Sequence, residues 1–224
     1  MDPDYWHARW RDGRTGFNQP DGNPLLQRHW ATLDLPAGSQ VFVPLAGKSP
    51  DLLWLAARGH RVLAVELSPL AIEQFFAEAG IEPTVTRSRY GTHHRAGAIE
   101  LICGDVFDLD HEALSGCTAF YDRAALIALP ASLRQRYADE VYAALPPRCR
   151  GLLVSLEYPP AELDGPPFAI DEAQVRALYQ RDWSIEVLER QNILANQPAF
   201  QAQGLTSMHN IAYVLQRHEA KSPQ

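Results

Sequence analysis

Apolar residues recur along this chain in two rhythms, and the way they alternate predicts its elements. At helical spacing, Trp6 and Trp10 stand one turn apart before Gly13, and Leu25, Leu26, His29, Trp30 and Leu33 mark a second helix. Leu52, Leu53, Leu55 and Ala56 run to Gly59, and 70–79 runs to Gly80, with both glycines placed as C-terminal stops. Two more helices are predicted over 132–145 and 172–180. Asp2-Pro3, Asn23-Pro24, Ser49-Pro50 and Ser68-Pro69 each set a capping side chain before a proline suited to a first helical turn. Between the helices lie short β-type runs at 41–43, 61–65, 99–102, 119–121 and 152–156. Two late runs, 185–188 and 211–215, have no strong helical pattern between them.

Strand-helix alternation over the first 156 residues predicts a mostly parallel sheet covered on both faces, with the last two strands as an antiparallel addition at one edge. No repeat, low-complexity tract or linker divides the chain, so 1–224 reads as one domain, with 1–34 expected to be an N-terminal helical lid region ahead of the first strand. The stretch Tyr158-Pro-Pro-Ala-Glu-Leu-Asp-Gly-Pro-Pro-Phe168 can be neither regular helix nor central strand. It reads as a stiff loop after the fifth strand, either a ligand-facing loop or a plain connector.

Composition narrows the function. Apolar residues make up 46 % and charged residues 21 %, as in ordinary globular chains. Twenty basic against 27 acidic residues leave a net charge of −7, and the only lysines are Lys48 and Lys221. That balance argues against a nucleic-acid partner, whose phosphates need clustered cations. Cys103, Cys117 and Cys149 form neither a disulfide framework nor a zinc ladder. No membrane-length apolar run or signal-type N-terminus occurs, so the expected compartment is the cytoplasm.

Four segments could carry chemistry. In Val41-Phe-Val-Pro-Leu-Ala-Gly-Lys-Ser-Pro50, the Gly47-Lys48-Ser49 triplet resembles the end of a P-loop, but Phe42 occupies the earlier glycine position. Leu45 likewise stands where a dinucleotide fingerprint needs glycine. What remains is a one-glycine turn able to approach a ligand lacking phosphate. Glu66, nineteen residues beyond Gly47, is placed to accept from both ribose hydroxyls; equally, it could serve the dipole of the next helix. Asp105 and Val106, after the third strand, could hold an adenine by its amino group and ring. Together these describe an adenosine site without a diphosphate, which S-adenosylmethionine fits better than NAD or ATP.

Tyr121-Asp122-Arg123 places opposite charges at the rim of the fourth strand, either as an ion pair or as working groups. Trp6, Trp10 and Phe17 precede the first core strand, where they could pack the core or form a lid over a planar or cationic ligand. His93-His94 reads as a solvated loop without companion metal ligands, and no metal is expected. No Gly-x-Ser-x-Gly element occurs, and no serine or cysteine has a visible base partner, which argues against hydrolase chemistry.

Taken together, Trp6-His-Ala-Arg-Trp10 through Gly16-Phe17, Val43-Pro-Leu-Ala-Gly-Lys48, Arg58-Gly-His-Arg-Val62 with Glu66, Phe107-Asp-Leu109, Tyr121-Asp-Arg-Ala-Ala-Leu126 and Gly165-Pro-Pro-Phe168 resemble the thiopurine S-methyltransferase family, in its compact bacterial branch, over essentially the full length. The resemblance implies a class I, Rossmann-like α/β fold: a seven-stranded sheet with helices on both faces and a reversed last strand. It implies S-adenosylmethionine contacts at Trp10, Leu45, Glu66 and Arg123, adenine-side contacts at Asp105 and Val106, and an acceptor contact at Phe17. The segment Asn196-Gln-Pro-Ala-Phe-Gln201 lacks the basic residue of mammalian-type members, and bacterial relatives are associated with selenium and tellurium methylation. The expected reaction moves a methyl group from a sulfonium to a thiol or heavier chalcogen on a small molecule. Arg123 would stabilise the anionic acceptor, Asp122 would orient Arg123 or act through water as a base, with the orienting role favoured, and Trp10 and Phe17 would close over the centre. A monomer is expected. An NAD-dependent oxidoreductase or a non-catalytic adenosine-binding protein are the competing readings.

Overall fold

In the computed structural model, which describes residues 3–16, 18, 19 and 21–219, the chain makes nine strands. In order these are β1 (Gln40–Val43), β2 (Arg61–Glu66), β3 (Thr84–Ser88), β4 (Gly91–Ala96), β5 (Ile99–Cys103), β6 (Cys117–Arg123), β7 (Arg150–Glu157), β8 (Trp183–Asn192) and β9 (His209–Arg217). The helices are α1 (Pro3–Arg11), α2 (Pro24–His29), α3 (Asp51–Ala57), α4 (Pro69–Ala79), α5 (His111–Leu114), α6 (Ala131–Arg136), α7 (Glu172–Tyr179) and α8 (Pro198–Ala202).

All strands join one sheet in the order β3-β4-β5-β2-β1-β6-β7-β9-β8. Five central strands, β5-β2-β1-β6-β7, are parallel, and β9 runs antiparallel to both β7 and β8. The expected seven-stranded sheet with its reversed last strand is therefore present, and β3 and β4 extend it to nine. Alternating side chains feed two cores. Phe42, Leu63, Val65, Phe120 and Leu153 pack with α5, α7 and the segment after α6. Val41, Val43, Val62, Ala64 and Tyr121 pack with α2, α3 and α4 on the opposite face.

The capping pairs work with one variation. Asn23 Oδ1 accepts from Leu25 N and Leu26 N, and Ser68 Oγ from Ala71 N. Ser49 Oγ instead accepts from Asp51 N, because α3 begins after Pro50. Asp2, like Phe17, lies outside the described residues. The predicted helix over 132–145 is α only to Arg136; Tyr137–Tyr142 winds as a π-helical turn.

His93-His94 is the clear miss: it belongs to strand β4, not to a solvated loop. The β3–β4 hairpin has little apolar alternation, and its strand state comes from pairing with β5. There His93 is buried, with Nε2 2.6 Å from Ser88 Oγ and Nδ1 2.5 Å from Glu100 Oε1. Ser88 thus has an imidazole partner that the sequence did not reveal, although none of the three residues lines the cleft described next. Among the described residues no group of three metal-binding side chains occurs, and no helix is long and apolar enough to cross a membrane.

Candidate active site

A parallel sheet opens a crevice where connections leave neighbouring strands in opposite directions. Here that point is β1, with β2 to one side and β6 to the other. A cleft of about 560 Å³ lies there, within the roughly 300–1,000 Å³ of small-molecule sites. Two residues on its wall hold left-handed backbone without being glycine: Leu45 after β1 (φ 46°) and Ala124 after β6 (φ 66°). A Cβ in that region costs about 1–2 kcal/mol, strain of the kind that collects at functional sites.

On one side, Glu66 ends β2 at 7 % exposure. Its Oε2 accepts from Gly47 N and its Oε1 from Ser68 N, both at 2.8 Å. Burial pushes its pKa up, against hydrogen bonds from Ser68, Gly47 and Leu67 that pull it down. The carboxylate therefore clamps the β1 turn to the start of α4, so it serves the helix terminus and lines the cleft as well. Each oxygen has a second lone pair, leaving capacity for two hydroxyl donors. Gly47 (φ 56°) lies under Trp10, and a Cβ there would come within 3.3 Å of Trp10 Cζ2. Lys48 turns away to pair with Glu78 at 2.5 Å, so the P-loop lysine role is not available to it. A small recess beside the cleft is lined by Leu45, Val65, Glu66, Leu67, Gly104, Asp105 and Val106. Asp105 Oδ1 accepts from Phe107 N, and Val106 is 3 % exposed, at the edge of the core.

The N-terminal segment walls the cleft through Trp6, Arg9, Trp10 and Asn18, with Trp10 only 3 % exposed. The far side is built from Arg123, the proline-rich loop at Leu163, Gly165, Pro166 and Pro167, and the β8–β9 connection at Gln197, Phe200 and Gln203. Of the two readings of the proline-rich loop, the ligand-facing one therefore matches its position. Tyr158 Oη donates to Pro167 O, and the Arg134 guanidinium lies 5.3 Å from the centre of the Phe168 ring.

The structure thus gathers Trp10, Leu45, Glu66 and Arg123 at one cleft, with Asp105 and Val106 in the adjoining recess. Asp122 is not among them. Strand alternation turns it from Tyr121 and Arg123 into the opposite core, where it is 0 % exposed. Its Oδ2 accepts from Tyr137 Oη and Tyr142 Oη, and its Oδ1 from Leu126 N.

One network had no sequence signal. Tyr121 Oη donates to Asp51 Oδ2 at 2.9 Å, and Asn23 N donates to Asp51 Oδ1 at 2.8 Å. This buried carboxylate ties the N-terminal segment to the floor of the cleft. In sequence, Asp51 looks like any acid in a helical first turn.

The fold is that of the class I S-adenosylmethionine-dependent methyltransferases. A methyltransferase of that class from Anabaena variabilis superposes with a TM-score of 0.70 at 11 % identity, covering 97 % of this chain and 96 % of that one. The 1,6-didemethyltoxoflavin-N1-methyltransferase of Burkholderia thailandensis, solved with S-adenosylhomocysteine, does so at 0.62 and 18 % identity, covering 97 % and 87 %. The family model of thiopurine S-methyltransferase matches residues 1–218. A thiopurine S-methyltransferase of Xanthomonas campestris pv. campestris is 57 % identical over 97 % of this chain and 100 % of its own length; one from Nitrosomonas eutropha is 54 % identical over 97 % and 99 %. The chain belongs to the thiopurine S-methyltransferase family. Its cofactor is S-adenosylmethionine, and the spare acceptor capacity of Glu66 in a cleft without a phosphate-binding turn fits that group.

Proposed function

We propose that the enzyme methylates the sulfur of thiopurines and of aromatic or heterocyclic thiols, and selenium or tellurium compounds of like anionic character, as a cytoplasmic monomer in a resistance or detoxification role. The observation that carries this reading is Arg123. Its half-buried side chain lines the cleft, and among the described residues no hydrogen bond or ion pair engages its guanidinium. S-adenosylmethionine, when bound, supplies a methyl group on a sulfonium sulfur. The protein's task is to present a nucleophile to it. A thiol reacts as its anion, and a neighbouring cation lowers the pKa of the acceptor. On the far side of the cleft, Arg123 stands beside the neutral amides of Gln197 and Gln203 and the ring of Phe200, with Arg9 on the opposite wall. Trp10, packed over Gly47, shields the centre from water, which strengthens the electrostatic effect. Asp122 is too deeply buried to take a proton from the acceptor, and a thiol held as its anion needs no protein base. Trp10, Leu45, Glu66, Asp105 and Val106 would hold the cofactor, with Arg123 within reach of both cofactor and acceptor.

Methyl transfer from labelled cofactor, scanned over thiols, thiopurines and selenium compounds, tests the acceptor range. With one thiol of known pKa, Arg123→Ala should lose most rate below that pKa and less above it, and Arg123→Lys should retain part of the low-pH rate. A loss equal at every pH, with weakened cofactor binding, would make Arg123 a cofactor ligand instead.

A further inference from the structure

Past Arg136 the helix widens into the π-helical turn Tyr137–Tyr142. Such turns are rare and frequent at functional sites. In an α-helix, residues five apart point about 140° away from each other; wider winding swings them towards one face. The consequence is visible: Tyr137 Oη and Tyr142 Oη both lie 2.9 Å from the same oxygen, Asp122 Oδ2. The other oxygen accepts from Leu126 N at 3.2 Å, closing the bend that follows β6. All three side chains are at most 1 % exposed. A buried carboxylate held this way is poor value as a stabiliser, because apolar packing does as well without the desolvation. Its place in the chain gives it another use. Asp122 is joined directly to Arg123, and the next residue is Ala124, whose strained backbone (φ 66°) forms the cleft wall.

We propose that Tyr137, Tyr142 and Asp122 are positioning residues, which hold the end of β6 so that Arg123 faces the acceptor. The proposal rests on the acceptor role of Arg123 given above. The titratable groups around Asp122 are Tyr137, Tyr142 and, against the Tyr142 ring, Tyr179; those sharing the cleft with Arg123 are Arg9, Glu66 and Tyr121.

The test compares Tyr137→Phe, Tyr142→Phe, their combination and Arg123→Ala in single-turnover methyl transfer against pH, with saturating cofactor and one thiol of known pKa. Circular dichroism and cofactor affinity are measured on each protein. The double variant should stay folded, keep cofactor affinity within about twofold, and lose roughly threefold in rate below the thiol's pKa, the effect of half a pKa unit, with little loss above it. If the double variant does not fold, the single variants carry the same comparison. A rate loss equal at every pH, or an unchanged profile while Arg123→Ala shifts its own, overturns the positioning role and leaves the Arg123 reading intact. No shift in Arg123→Ala itself overturns that reading, and this proposal with it.

Discussion

Replacing Glu66 by glutamine keeps the shape of the side chain and should damage two properties. Both oxygens of Glu66 accept backbone N–H groups at 2.8 Å, from Gly47 and from Ser68. An amide accepts only at its oxygen, so its nitrogen would face one of these donors and leave a buried N–H unpaired. Glu66 is also buried, at 7 % exposure, so water cannot take the place of the lost acceptor. A hydrogen bond to a charged group contributes about 1.5–3 kcal/mol, and at about 2–4 °C per kcal/mol for this chain length the apo melting temperature should fall by roughly 3–12 °C. Burial already disfavours the charged carboxylate, so removing the charge offsets part of that loss and points to the lower half of the range. The second effect is on the cofactor. If two ribose hydroxyls use the remaining lone pairs, losing one bond weakens binding roughly tenfold to a hundredfold. Calorimetric melting of the apo protein measures the first effect, and titration with S-adenosylhomocysteine well below the melting temperature measures the second. An unchanged melting temperature would refute the clamp between turn and helix. A lower one with unchanged affinity would leave Glu66 with the clamp alone.

Two further outcomes follow from the same geometry. Gly47→Ala adds a Cβ in a left-handed conformation and 3.3 Å from Trp10, so urea unfolding should show a loss of about 1–2 kcal/mol, with altered tryptophan emission; unchanged stability and emission would count against the packing of Trp10 on this turn. His60 Nε2 accepts from Trp30 Nε1 at 3.0 Å, and burial lowers its pKa below 6.5, so the unfolded chain holds more protons between the folded value and 6.5. That stability is present above pH 6.5 and lost as pH falls through the folded pKa; His60→Gln, which keeps an acceptor, should flatten this part of the stability–pH curve, and identical curves for the two proteins would show that His60 does not titrate on unfolding.

The central sheet was readable because its strands are apolar on both faces and punctuated by proline and glycine. The five runs from 41–43 to 152–156 all became parallel strands, each longer by a residue or more. The β3–β4 hairpin was not readable, because Thr84–Ser88 is exposed throughout and is held in the sheet by its neighbour rather than by its own pattern. Glu66, Leu45 and Arg123 could be placed because they end strands, and strand ends of a parallel sheet meet at one crevice. Asp51 and Tyr121 could not be paired, since they are seventy residues apart and each has an ordinary local explanation. Asp122 was legible as a residue of consequence but not as a buried one, because β6 has apolar residues on both faces and its alternation is hidden.

That alternation also decides which charge faces the cleft. Along β6, Tyr121 and Arg123 face the cleft side and Asp122 the opposite core, so a slip of one residue would exchange the guanidinium for a carboxylate. The native register pairs Tyr121 with Leu152 and Arg123 with Val154 on β7. Two buried polar contacts hold it from either face: Tyr121 on Asp51, and Asp122 on the tyrosine pair of the π-helical turn. In the slipped register the tyrosine hydroxyls would face no carboxylate, Asp51 would lose a donor, and a guanidinium would sit in the apolar core. Each of those groups, left unsatisfied, costs about 1–3 kcal/mol or more, against the fraction of a kcal/mol that separates apolar pairs on neighbouring strands. The polar contacts on both faces therefore specify the register of β6, and with it the sign of the charge that lines the cleft.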